Sequence, residues 1–141
     1  MLDFVAIDFE TANKFPNSAI SLAAVTIEND RLTRKAYSLI KPPFMNFDPE
    51  CIEIHKIQPD QVLNKMTFDA LWPNIYNNHL KNKVIIAHNA KFDIKVLRST
   101  LDHYQLNWPD FKYACTVKIA RKVWPKLNNH RLNTLAEFLG F

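Results

Sequence analysis

The chain has 141 residues, about one domain with enough length for a real core, and an ordinary globular composition of 48% hydrophobic and 23% charged residues. It has no run of eighteen apolar residues, and its N-terminus lacks a basic region followed by an apolar one, so neither a membrane span nor a signal peptide is expected. Net charge is +4 but uneven. Residues 1–78 carry 7 Lys/Arg against 10 Asp/Glu and residues 79–141 carry 11 against 4, that is −3 and +7, a split that suits a phosphate-bearing substrate near bound metal.

In chain order the elements alternate as in an α/β protein. The first strand is expected over residues 3–8, a second over 18–30 and a third over 31–40. The short Asn29-Asp30 link makes the last two antiparallel. Pro42-Pro43 ends that run, and short helices are expected on either side of Pro59. Thr67 is a candidate N-cap for a helix over FDALWPNIYNNHL that Pro73 should interrupt early. A fourth strand, 83–89, leads into a helix over 91–104. A short strand at 113–116, a helix at 117–124 and an amphipathic helix at 130–140 complete the pattern. Cys51 and Cys115 have no metal-ligand spacing and read as buried free thiols of a cytoplasmic protein.

The first strand raises the chemical question. In FVAIDFETAN, residues i and i+2 share a face, so Asp8 and Glu10 stand together with Phe4 and Ala6 while Val5, Ile7 and Phe9 take the other side. Two like charges roughly 7 Å apart repel, burial raises the cost of both, and something positive should sit between them. Asp93, on the first turn of helix 91–104, lies on or beside the apolar stripe marked by Leu97, Thr100 and Tyr104. It could bond free helix N–H groups. It could equally meet Asp8 and Glu10, if strands 3–8 and 83–88 are parallel neighbours whose C-terminal ends form the site. Three hard oxygen ligands suit Mg²⁺ or Mn²⁺ rather than zinc.

These segments resemble the DEDD superfamily of 3′–5′ exonucleases, of the DEDDh type and the DnaQ-like branch typified by the epsilon subunit of DNA polymerase III. IDFET (Asp8, Glu10, Thr11) is similar to the family's first motif and AHNAKFD (His88, Asn89, Phe92, Asp93) to its second. IEIHKIQPDQV, with His55 in place and Lys56 where Gly is usual, is similar to the stretch between them. The resemblance implies an RNase H-like α/β fold: three antiparallel strands, then parallel ones, in a mixed sheet flanked by helices on both faces. It implies 3′–5′ hydrolysis of DNA to nucleoside monophosphates with two divalent cations, Mg²⁺ or Mn²⁺. Asp8, Glu10 and Asp93 would be the metal ligands and catalytic acids. Thr11, Ala12, His55, His88, Asn89 and Phe92 would line the terminal nucleotide. The substrate would be single-stranded DNA 3′ ends, alone or with a polymerase or a replication or repair complex. A lapsed domain that only binds 3′ ends and an exoribonuclease fit the same motifs.

The family's third motif, His-x-x-x-x-Asp, is not found. Five residues after His130 stands Leu135, and Glu137 is seven on. With Leu132, Leu135, Ala136 and Leu139 as the buried stripe, His130 and Glu137 are expected to face solvent. The chain therefore reads as a single exonuclease-like domain over 1–141, incomplete at its C-terminus. It would bind metal weakly, cut poorly and self-associate through an uncovered apolar face.

Overall fold

A computed structural model of the chain describes residues 1–141. Five strands form one sheet in the order β3-β2-β1-β4-β5. β1 (Phe4–Thr11) pairs antiparallel with β2 (Ala19–Glu28), which pairs antiparallel with β3 (Arg31–Leu39). β4 (Val84–Ala87) runs parallel to β1, and β5 (Tyr113–Cys115) parallel to β4. The mixed sheet expected from the motifs is the one observed.

β1 is longer than expected. Its pairing with β2 holds to Glu10 and, after a register shift, to Thr11, so Glu10 as well as Asp8 lies inside the strand. β4 pairs with β1 only from Phe4 to Ala6, leaving the rest of that edge of β1 to other partners.

The core lies on one face of the sheet. Val5, Ile7 and Phe9 of β1, Leu22 and Ala24 of β2, and Ile85 and Ala87 of β4 pack there against two helices. The first is α3 (Phe68–Ile75), which contributes Phe68 and Ile75. The second is α4 (Ala90–His103), which contributes Ile94, Val96, Leu97 and Leu101. Thr67 is the N-cap of α3 but makes no side-chain cap bond. Pro73 does not end α3. The helix passes through it and widens into a π-type turn over Tyr76–Leu80. On the other face Phe4, Ala6, Ala23, Val25, Ile27, Ile86 and Ala114 are only half-buried, and Tyr37 and Val84 are exposed.

The short helices α1 (Pro49–His55) and α2 (Pro59–Val62) follow β3. α5 (Thr116–Val123) and α6 (Leu132–Leu139) follow β5. Of the stripe expected on α6, Leu135 is buried and Ala136 half-buried, but Leu132 and Leu139 are exposed. Both cysteines are free and half-buried rather than buried. No helix is long and apolar enough to cross a membrane.

Candidate active site

The alternation of β1 sets the site. Odd positions enter the core, and Asp8 and Glu10 face the other way, Asp8 exposed and Glu10 half-buried. β4 ends at Ala87, and the chain turns into α4 at Asn89, whose left-handed backbone (φ 67°) forms the N-cap. One turn later Asp93 is almost fully buried. Its Oδ1 accepts the Phe9 N–H at 2.9 Å, on the stretch of β1 that β4 leaves unpaired. The helix carboxylate thus replaces a ladder partner and is brought beside Asp8 and Glu10. Parallel pairing of β1 with β4 delivers the three acids to one end of the sheet, as expected.

Electrostatics register that proximity. Burial pushes Asp93 up to about 7, the Phe9 N–H holds it down, and the charges of Asp8 and Glu10 raise it further. Burial raises Asp8. Burial, and then the charge of Asp8, raises Glu10. None of the three has a cationic partner, for both ion pairs in the structure belong to Glu28, with Lys83 and Arg34. The positive charge that the strand called for is not supplied by a side chain. An all-carboxylate donor set without a counter-charge fits a hard divalent cation. As they stand, however, no three His, Cys, Asp or Glu side chains are drawn close enough to hold one ion. The expectation of carboxylates already within reach of a common ion is not met. The acids repel one another, and no partner in the chain gathers them.

Beside them opens a pocket of about 400 Å³ lined by Glu10, Thr11, His55 and Phe92, with Lys14 and Lys95 the cations on its wall. Phe92 is 43% exposed there, not core. His55 has both ring nitrogens engaged: Nε2–H donates to the Thr11 carbonyl at 3.1 Å, and Nδ1 accepts the Ile57 N–H at 3.0 Å. Burial lowers its pKa, outweighing the bond to Thr11. Its role is therefore to hold α1 against the end of β1, with only its ring surface facing the pocket.

Three expected nucleotide contacts change. Ala12 is fully buried, its N–H donates to the Ser18 carbonyl, and its own carbonyl accepts the Asp48 N–H, both at 2.8 Å. It has no free backbone group to offer. His88 and Asn89 line a different cleft, at the ends of β4 and β5. The His88 Nε2–H donates to the His130 carbonyl at 2.7 Å, and Nδ1 lies 2.9 Å from Thr116 Oγ1. His130 is half-buried rather than solvent-facing, its Nε2 bonded to the Trp124 carbonyl at 2.8 Å. Glu137 is exposed on α6, as expected. Lys14, Asn13 and Lys95 were missed by the sequence reading. Lys95 had a signal, since it stands three residues from Phe92 on one helix face. Asn13 and Lys14 lie in the turn between β1 and β2, which Pro16, Asn17 and Ser18 mark and in which Asn13 Oδ1 accepts the Phe15 N–H.

The family model described as Exonuclease matches residues 5–141, and the chain belongs to that family. It is 30% identical over 140 residues to the PolC-type DNA polymerase III of Thermotoga petrophila, covering 97% of this chain and 10% of that protein. It is 29% identical over 141 residues to the DNA polymerase III epsilon subunit of Aquifex aeolicus, covering 98% of this chain and 68% of that one. The nuclease domain of 3′hExo, a DEDDh family member solved with rAMP, superposes with a TM-score of 0.80 at 18% identity, over 99% of this chain and 79% of that one. The chain spans about a tenth of the length of the PolC-type relatives it matches. Membership of the exonuclease family and the mixed-sheet α/β fold expected from IDFET and AHNAKFD are borne out.

Proposed function

We propose that this domain removes nucleoside monophosphates from the 3′ ends of single-stranded DNA. The observation that carries the reading is the uncompensated carboxylate group of Asp8, Glu10 and Asp93 at the end of β1, opening onto the pocket of Thr11, His55 and Phe92. Asp8, Glu10 and Asp93 would hold two divalent cations, Mg²⁺ or Mn²⁺. When bound, such ions activate water and offset charge on the attacking and leaving oxygens of a scissile phosphate. The chain's own residues do the rest. The Phe9 N–H fixes the Asp93 carboxylate, the Phe92 ring gives a base a face to stack on, and Thr11 closes the pocket floor beside Glu10. Water adds to phosphorus, the P–O3′ bond breaks, and the products are a 5′-monophosphate and a strand one residue shorter with a new 3′-hydroxyl.

His130 bonds the Trp124 carbonyl through Nε2 and lines the cleft of His88 and Asn89 rather than the pocket beside Glu10, and Glu137 is exposed on α6, so we assign no general base among these residues and expect slow turnover. The epsilon and PolC-type relatives support association with a polymerase. The half-buried apolar sheet face supports self-association.

The test is a 5′-labelled single-stranded oligonucleotide with Mn²⁺, with a closed circle of the same sequence alongside. We expect a one-nucleotide ladder shortening from the 3′ end, an intact circle, and no product from Asp8→Ala or in EDTA. Cleavage of the circle, or activity without metal, overturns the reading. Tight binding of 3′ ends with no ladder even at high enzyme concentration favours a lapsed binding domain. The same oligonucleotide in RNA decides between deoxyribo- and ribonuclease.

A further inference from the structure

A second cleft, of about 630 Å³, opens at the C-terminal ends of β4 and β5. Lys118, Arg121 and Arg131 line it together with Asn89, Asn128 and Asn129, and no carboxylate is among its lining residues. All three cations are exposed and none is in an ion pair. The surrounding sequence is one-sided as well: residues 111–136 contain six Lys/Arg and no Asp or Glu. Unpaired like charges gathered around a concavity repel each other, which costs stability unless a polyanion fills it.

The walls are braced in advance. His88 ties the end of β4 to Thr116 and to the His130 carbonyl, and the His130 ring ties to Trp124. Asn129 Oδ1 accepts the Arg131 N–H and the Thr134 hydroxyl. None of these bonds consumes the three cationic heads. The cleft also opens at the same end of the sheet as the carboxylates, where the parallel strands β1, β4 and β5 finish. β5 is two strands from β1, about 10 Å, a gap that a single strand with its last residue at the carboxylates can cross into the cleft.

We propose that this cleft holds the phosphates of the nucleic-acid strand upstream of the 3′ end, so that Lys118, Arg121 and Arg131 grip the strand while the carboxylates act on its last residue. The proposal rests on the exonuclease reading for its direction, but its readout is separate. Binding is followed by fluorescence anisotropy of phosphorothioate oligonucleotides, a dinucleotide and a dodecamer, over a range of salt.

The intact chain should bind the dodecamer at least tenfold more tightly than the dinucleotide. The Lys118→Ala/Arg121→Ala/Arg131→Ala variant should lose that preference, and its log K against log salt slope should fall by about 2, from three phosphate contacts at about 0.7 each. Each single Ala variant should lower the slope by about 0.7, and Arg121→Lys should keep it. Equal binding of the two lengths by the intact chain, or a triple variant with an unchanged slope, overturns the proposal even if hydrolysis is robust. Length-dependent binding that persists in an inactive Asp8→Ala variant supports the cleft whatever becomes of the catalytic reading.

Discussion

Asp93 is the most heavily perturbed acid in the molecule. Its buried carboxyl is pushed up to about 7 from an ordinary value near 4. Between those two values the folded state binds the extra proton, so stability present at low pH is lost as pH rises through the folded value. Metal-free protein should therefore be more stable to urea at pH 5 than at pH 8, and Asp93→Asn should flatten that profile. Mn²⁺ should restore stability at pH 8, since ligation favours the ionised form. Phe92 allows a complementary test. Because it is 43% exposed, Phe92→Ala should leave the thermal midpoint nearly unchanged while weakening 3′-end binding by about 1–3 kcal/mol, the worth of one stacked base. Part of this was legible in the sequence. Alternation along FVAIDFET placed Asp8 and Glu10 together, whereas Asp93 stayed open between a helix cap and that pair until the parallel pairing of β4 with β1 was seen. The histidines were not legible. Which carbonyls lie beside His55 and His88 depends on where α1 and the 124–131 loop settle, and a residue's type carries no information about that.

At the level of elements, β1 outruns its parallel neighbour, and this gap is what lets a helix side chain reach the sheet. The sequence pattern places the end of the strand at residue 8, but the long antiparallel partner β2 carries the pairing on to Thr11. Pro73 was misjudged for a related reason. Packing of Phe68 against Phe9 and Trp72, with ring centroids 6.2 and 5.6 Å apart, holds α3 together past the missing N–H, and the irregularity emerges downstream as the π-type turn. Phe68→Ala should cost about 3–5 kcal/mol in chemical denaturation. His88→Ala should cost about 2 kcal/mol by freeing two bonds that join β4 to the segments after β5.

Over the whole molecule, the charge asymmetry seen along the chain becomes a spatial one. Asp8 and Glu10 of the first half stand at the end of β1 beside Asp93, and a carboxylate-free stretch of the second half forms the cleft two strands away. One sheet face is covered by α3 and α4, while the other shows half-buried Phe4, Ala6, Val25 and Ile86 with exposed Val84 and Tyr37. Sedimentation equilibrium at tens of micromolar should find dimer, and Val84→Lys should shift the distribution to monomer without lowering stability. A monomer at all concentrations removes the self-association proposal.

The bond from the Phe9 amide to Asp93 spans 84 residues and links the middle of the sheet to the acid that responds most to its surroundings. That amide is thus a built-in spectroscopic probe. Its proton resonance should move when Asp93 changes protonation or takes up an ion, with a titration midpoint near 7 in the apo protein. Its deuterium-exchange rate should slow on metal loading, reporting occupancy of the site with no substrate, label or turnover.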